Sequence, residues 1–198
     1  MTQNNVGIYA SQISGHLWAP SGAYDALASV TLSATTSTIT FAGIPTGYRH
    51  LQIRGIARSN SATTYPDPLI IQFNGDTTSG NYYSYHILTG DTTAASAYAG
   101  ATTTIAGGMV GRIAGGNGGA NSFTASIIDI LDYSNSNKNK TTRTLSGTEG
   151  NSTNLDNDIT LFSSLWKSTS TITSILLRPN NNTNSFVQYT QFALYGVK

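Results

Sequence analysis

From Ala26 onward the chain is a succession of short apolar–polar alternations, each stopped by glycine, proline or Asx residues. A period of two interrupted by turn residues every roughly 8–12 positions is the pattern of antiparallel strands, and helical periodicity is nearly absent. In 38–41, Ile39 and Phe41 take one side and Thr38 and Thr40 the other, before Gly43 and Pro45 end the run. In 48–57, Leu51 and Ile53 alternate with His50, Gln52 and Arg54, so one face is core and the other wet. Further runs lie at 27–32, 69–73, 82–88, 105–113, 123–131, 140–145, 159–165, 172–177 and 186–195. Strands of this kind, about ten in all, predict an all-β, antiparallel two-sheet β-sandwich, jelly-roll or related, over residues 23–198.

Three runs carry finer expectations. Asn74-Gly75 after Leu69–Phe73 suits positive φ in a tight turn and predicts a hairpin with the 82–88 run. Gly107, Gly108 and Gly111 weaken 105–113 and predict a bulge or a sheet edge, followed by a Gly115–Gly119 loop that is mobile unless a partner clamps it. The 123–131 run is the most apolar, and its Ile127-Ile128 and Ile130-Leu131 pairs predict a central strand covered on both faces.

Residues 1–22 differ from the rest. Val6, Ile8, Tyr9, Ile13, Leu17 and Trp18 are isolated apolar anchors among turn formers, the composition of an extended arm. Ordering such a segment costs roughly 1–2 kcal/mol per residue, so it needs burial, either as an edge strand of its own domain or on a neighbouring subunit.

Composition narrows the function. Only 10% of residues are charged, the net charge is +1 and there is no cysteine; the polar half is Thr, Ser, Asn and Gly. No basic stripe exists to neutralise phosphates, which argues against nucleic acid as a partner. The absence of cysteine removes disulfides, thiolate catalysis and Cys-based zinc sites. No apolar run approaches the roughly 20 residues of a membrane helix, and no basic cluster followed by an apolar stretch marks a secretion signal. A surface of short neutral side chains suits a protein packed beside other proteins.

Several segments together carry a resemblance. Tyr48-Arg49-His50-Leu51-Gln52-Ile53-Arg54, Phe73-Asn74-Gly75-Asp76, Tyr83-Ser84-Tyr85-His86, Ile128-Asp129-Ile130-Leu131-Asp132-Tyr133 and the ending Phe192-Ala193-Leu194-Tyr195-Gly196-Val197-Lys198 resemble, in order and spacing, small virion structural proteins of tailed bacteriophages. The resemblance runs from about Gly22 to the end, and the start Gly7-Ile8-Tyr9-Ala10-Ser11-Gln12-Ile13-Ser14-Gly15-His16-Leu17 looks like the attachment segment of some such proteins. It implies a virion component of tail-fibre, minor structural or head-accessory type, made in the host cytoplasm. Its partners would be other virion proteins and further copies of itself, a trimer being favoured. It brings no catalytic residue and no cofactor.

The remaining candidates are weighed on their chemistry. His16, His50 and His86 with abundant serines could compose a triad on paper, but no Gly-x-Ser-x-Gly elbow is present, and no enzyme activity is expected. Asp129 and Asp132, three apart, fall on opposite faces of a strand, so the first is expected to bond a neighbouring strand or pair with a basic residue and the second to help the turn at Tyr133-Ser134-Asn135. Asp156-Asn157-Asp158, with Asn151 and Asn154, offers oxygen donors for calcium, yet Asx turns explain it equally and no metal is assigned. His50 and His86 make an incomplete metal site and are expected as hydrogen-bonded sheet residues. Tyr65, Tyr82 and Tyr98 are candidate glycan or interface contacts, the basis of an alternative reading as a carbohydrate-binding adhesin that recognises a host surface. Tyr82 points away from Tyr83 and Tyr85, so one of the two sets belongs in the core.

Overall fold

The computed structural model describes residues 22–62, 66–91, 94–100, 105–150, 157–180 and 183–198. Among them are β1 (Tyr24–Thr31), β2 (Ile39–Ala42), β3 (His50–Ala57), β4 (Asp67–Phe73), β5 (Tyr82–Asp91) and β6 (Ala95–Gly100). They continue with β7 (Gly108–Ile113), β8 (Thr124–Leu131), β9 (Lys140–Thr148), β10 (Asp158–Trp166), β11 (Ser174–Pro179) and β12 (Gln191–Val197).

The strands form two sheets, β1-β12-β3-β8-β9-β10-β5-β6 and β2-β11-β4-β7. β1 pairs with β12, β2 with β11, β3 with β8 and β4 with β7, all antiparallel, which is one long hairpin rolled on itself. That rolling is the jelly-roll topology, and the sandwich predicted from the alternating runs is the fold observed. The two remaining hairpin excursions, β5–β6 and β9–β10, add four strands to one side of the larger sheet.

Between the sheets lies one main core. Leu51 and Ile53 of β3, Ile128 and Ile130 of β8 and Leu194 of β12 meet Phe73, Val110, Ile175 and Leu177 from the smaller sheet. A satellite cluster of Ile70, Ile87, Met109 and Phe162 fills the space under the extension. There β7 is an edge strand with an irregular register at Leu69/Ile70, as its glycines predict. Gly108 also lets β7 approach the larger sheet: a Cβ there would lie 2.9 Å from the Ser164 hydroxyl.

Four expectations change. Asn74 and Gly75 do take positive φ (53° and 70°), with Asp76 N–H on the Phe73 carbonyl at 2.9 Å, but no hairpin follows. β4 pairs with β11 and β7, whereas β5 joins the other sheet, because the loop after the turn is fastened to β10 by Trp166 Nε1 donating to Asp76 Oδ2 at 2.8 Å. β6 was not foreseen, since Ala95–Gly100 holds small residues and a single tyrosine. The run at 186–195 is not one strand: a turn at Val187–Thr190, with Tyr189 at φ 70°, separates Phe186 from β12. β8 is central, but among the described residues it is covered on one face only.

Two polar devices hold the ends of the sandwich. Arg58 donates to the carbonyls of Gly119 (2.7 Å) and Ser122 (2.8 Å), so the glycine-rich loop is clamped from within. Lys140 is fully buried, and its ammonium donates to the carbonyls of Asn135, Lys138 (2.8 Å) and Thr169 (3.0 Å). Those three carbonyls replace the water that the charge gives up on burial.

Candidate functional site

Among the described residues the larger sheet has one face buried and the other open, and the strand registers show what the open face consists of. Arg54, Ile127, Leu145, Leu161, Leu88 and Ala97 are successive partners across β3, β8, β9, β10, β5 and β6. The next rung runs Ile56, Ala125, Gly147, Ile159, Gly90 and Ala95 across the same six strands. Two adjacent rungs therefore form a band in which Arg54 is the only charged side chain. Ile127 is 41% exposed, Leu145 50% and Ile159 58%. Contiguous exposed apolar patches are where soluble proteins are most often bound by partners or ligands, which makes this band the candidate site.

The third rung is polar and makes a rim. Arg54 Nε donates to Gln52 Oε1 (2.7 Å), Gln52 Nε2 donates to Asp129 Oδ1 (2.8 Å), and Arg143 stands 3.6 Å from Asp129 Oδ2. The guanidinium of Arg54 is flanked by the rings of Tyr24 and Tyr195 at 5.1 and 5.2 Å from their centroids. A dry centre with a hydrogen-bonded polar border is the anatomy of protein interfaces. The surface is not flat. Ile159 and Leu145 form a ridge, with a groove of about 500 Å³ over Gly147 on one side and another of about 570 Å³ over Gly90 on the other.

The strand-based reading of β8 as doubly covered follows from apolar residues at both parities. The structure puts Ile128 and Ile130 in the core and Ile127 in the band, so the second cover does not come from the described residues. The same signal recurs at Leu161-Phe162, where Phe162 is buried and Leu161 is not. It recurs too at Ile87-Leu88, where Ile87 is buried and Leu88 is exposed, whereas Ile56, Leu145 and Ile159 carried no such cue.

The sequence-predicted site residues fare differently. Val6, Ile8, Tyr9, Ile13, Leu17, Trp18 and Tyr65 lie outside the described residues. Tyr82 is a correction: it is 1% exposed, stacked near Phe73 and Trp166, with its hydroxyl donating to the Asp76 carbonyl (3.0 Å) and accepting from Phe73 N–H (2.9 Å). Burial pushes its phenol up to about 12. It belongs to the core set of tyrosines, and Tyr83 on the opposite face is exposed, with Lys167 5.2 Å from its ring centroid. Tyr98 is exposed at the far edge strand β6.

Among the titratable groups, Asp129 pairs with Arg143 and Asp132 serves a turn, as read from the sequence. His50 Nδ1 accepts the Asp132 N–H at 2.9 Å, and the Asp132 carboxylate, held below the ordinary range by the Lys138 hydrogen bond, sits 2.7 Å from that ammonium. This histidine–carboxylate contact lines neither groove. His86 is on the same face as His50 but four strands away, roughly 19 Å at ordinary spacing. Asp156 lies outside the described residues. Asp158 faces inward, 3.6 Å from Arg112, and burial raises its carboxyl despite that neighbour. Among the described residues no group of three His, Cys, Asp or Glu is placed to hold a metal ion.

No family model matches the chain, and no curated protein matches it. Among solved structures, one named "Putative pore-forming toxin from Bacteroides vulgatus ATCC 8482" is 10% identical over 75% of this chain and 54% of its own, with a TM-score of 0.10. The chain thus spans about half the length of that protein, and a TM-score of this size carries no functional information.

Proposed function

We propose that this chain is a non-enzymatic structural component of a tailed-phage particle, built in by burying the open face of its eight-stranded sheet against neighbouring proteins. The observation that carries the assembly reading is the two-rung apolar band from Ile56 to Ala97, which has a polar border and is cut by two open grooves. The phage setting rests on the resemblance of the segments quoted above. Burying such a band gains roughly 25 cal/mol per Å² of apolar surface, and the short neutral side chains around it keep the desolvation penalty low. The arm of residues 1–22 leads into β1, an edge strand of this same sheet, so a second attachment through Val6, Ile8, Tyr9, Ile13, Leu17 and Trp18 would begin beside the band. The tyrosine platform of the carbohydrate alternative loses Tyr82 to the core.

Incorporation is the test. Particles are assembled with Leu161→Lys in place of the wild-type chain, purified, and the chain quantified by mass spectrometry. The variant is expected to be folded and abundant in the lysate and depleted from particles. Equal occupancy of variant and wild type overturns the reading.

A further inference from the structure

We infer that the occupant of the open face is a second copy of this chain, stacked face to face about a two-fold axis parallel to the strands between β9 and β10. The inference rests on the reading of that face as an association surface and adds the identity of the partner.

Shape comes first. Rotation about that axis keeps each rung level and reverses the strand order, so β9 of one copy lies over β10 of the other, β8 over β5, and β3 over β6. In the second rung this sets Ile159 over Gly147, Ile56 over Ala95 and Ala125 over Gly90. Every bulky side chain then meets a small one, and the ridge at Ile159 enters the groove over Gly147. In the first rung Leu145 meets Leu161 and Ile127 meets Leu88, all four being partly exposed in the single chain. The axis makes each of these contacts twice.

Charge agrees with shape. The rotation brings Asp129 towards His86 and Arg143 towards Ser163, and it sets the Arg54 position over Ala97, so no like charges are opposed. Size agrees as well. The six shared strands and their four outward-facing rungs cover roughly 800 Å² on each copy at ordinary sheet spacings, which is what a stable complex buries per partner. A three-fold ring uses two different patches on each subunit, whereas this face is complementary to itself, the condition for a two-fold contact.

Sedimentation velocity over a range of concentrations tests the inference on the full chain and two variants. Ile159→Lys places a charge on the ridge. Gly147→Ile fills the groove while leaving the fold intact, since a Cβ at Gly147 meets only the Asp158 carbonyl, at 3.9 Å. Wild type is expected as a dimer, with both variants dissociating at least roughly a hundredfold more readily and keeping the wild-type circular dichroism. A trimer, a wild-type monomer at every concentration, or a dimer indifferent to both variants overturns the inference. If wild type is monomeric while Leu161→Lys is still lost from particles, the face docks a different virion protein: the inference falls and the proposed function stands. If wild type is monomeric and deletion of residues 2–20 exposes a thiol placed by Leu145→Cys, the chain's own N-terminal segment covers the face, and the inference falls by that route.

Discussion

Leu145 and Leu161 stand directly opposite each other on β9 and β10, on the side of the sheet away from the core, with 50% and 40% of their surfaces in contact with water. Neither can contribute to the single chain what a core leucine contributes, because much of each side chain never leaves solvent. The double variant Leu145→Thr/Leu161→Thr, which keeps β propensity, is therefore expected to melt within a few degrees of a wild-type chain held monomeric by Ile159→Lys. Thermal unfolding followed by circular dichroism measures this, with Ile159→Lys present in both proteins. A fall of more than about 10 °C would place the two leucines in the fold's own core.

Asp76 ties the turn at Asn74-Gly75 to the larger sheet. Burial raises its carboxyl, but donors from Trp166, Asn81 and Thr78 outweigh that and hold the group below its ordinary value of 3.8. A folded-state pKa lower than the unfolded one gives stability that is present above the unfolded value and lost as pH falls through the folded one. Asp76→Asn is expected to cost about 1–3 kcal/mol near neutral pH, and the gap from wild type should shrink below about pH 4. Urea unfolding at both pH values reads the difference; an equal gap at both would mean the charge on Asp76 is not what the loop uses.

Arg58 is the clamp on the glycine-rich loop. Its Nη1 donates to the Gly119 and Ser122 carbonyls while Nη2 reaches those of Gly116 and Gly118 at 3.4 Å, a spread over two nitrogens that a single ammonium does not offer. Arg58→Ala should lower stability by about 1–3 kcal/mol and speed amide exchange across 115–122. Arg58→Lys should recover little of either. Restoration of slow exchange by lysine would show that charge alone holds the loop.

Lys140 is fully buried and its ammonium is held by backbone carbonyls. Lys140→Met fills the stem's space but leaves the Asn135, Lys138 and Thr169 carbonyls without their donor, at an expected cost of about 2–4 kcal/mol in urea unfolding. A loss under about 1 kcal/mol would mean that these carbonyls find other partners readily.

Much of this molecule is legible in its sequence, for local reasons. Alternation in 48–57 put Leu51 and Ile53 inside, Asn74-Gly75 announced a turn, and the glycines of 105–113 marked an edge. What could not be read is non-local. β1 and β12 meet across the whole described chain, and nothing in the Phe73–Tyr82 stretch says that the loop is fastened to Trp166, so a hairpin was the natural expectation. β6 is made of alanine, serine, glycine and one tyrosine and has no apolar periodicity to detect. The apolar residues at both parities of β8 suggested cover on two sides, whereas among the described residues only the Ile128 and Ile130 side is covered.

Assembly as proposed requires the Ile127–Leu145–Leu161 side of the sheet to be covered. Because the chain has no cysteine, a single thiol reports cover without interference. The decisive measurement is the rate of maleimide labelling after Leu145→Cys, in the assembled protein and after dilution or dissociation, with Thr40→Cys on the smaller sheet as the exposed reference. The account predicts that the thiol at 145 is labelled at least roughly tenfold more slowly in the assembly than after dissociation, while the thiol at 40 is indifferent. Equal labelling of the thiol at 145 in both states would contradict it.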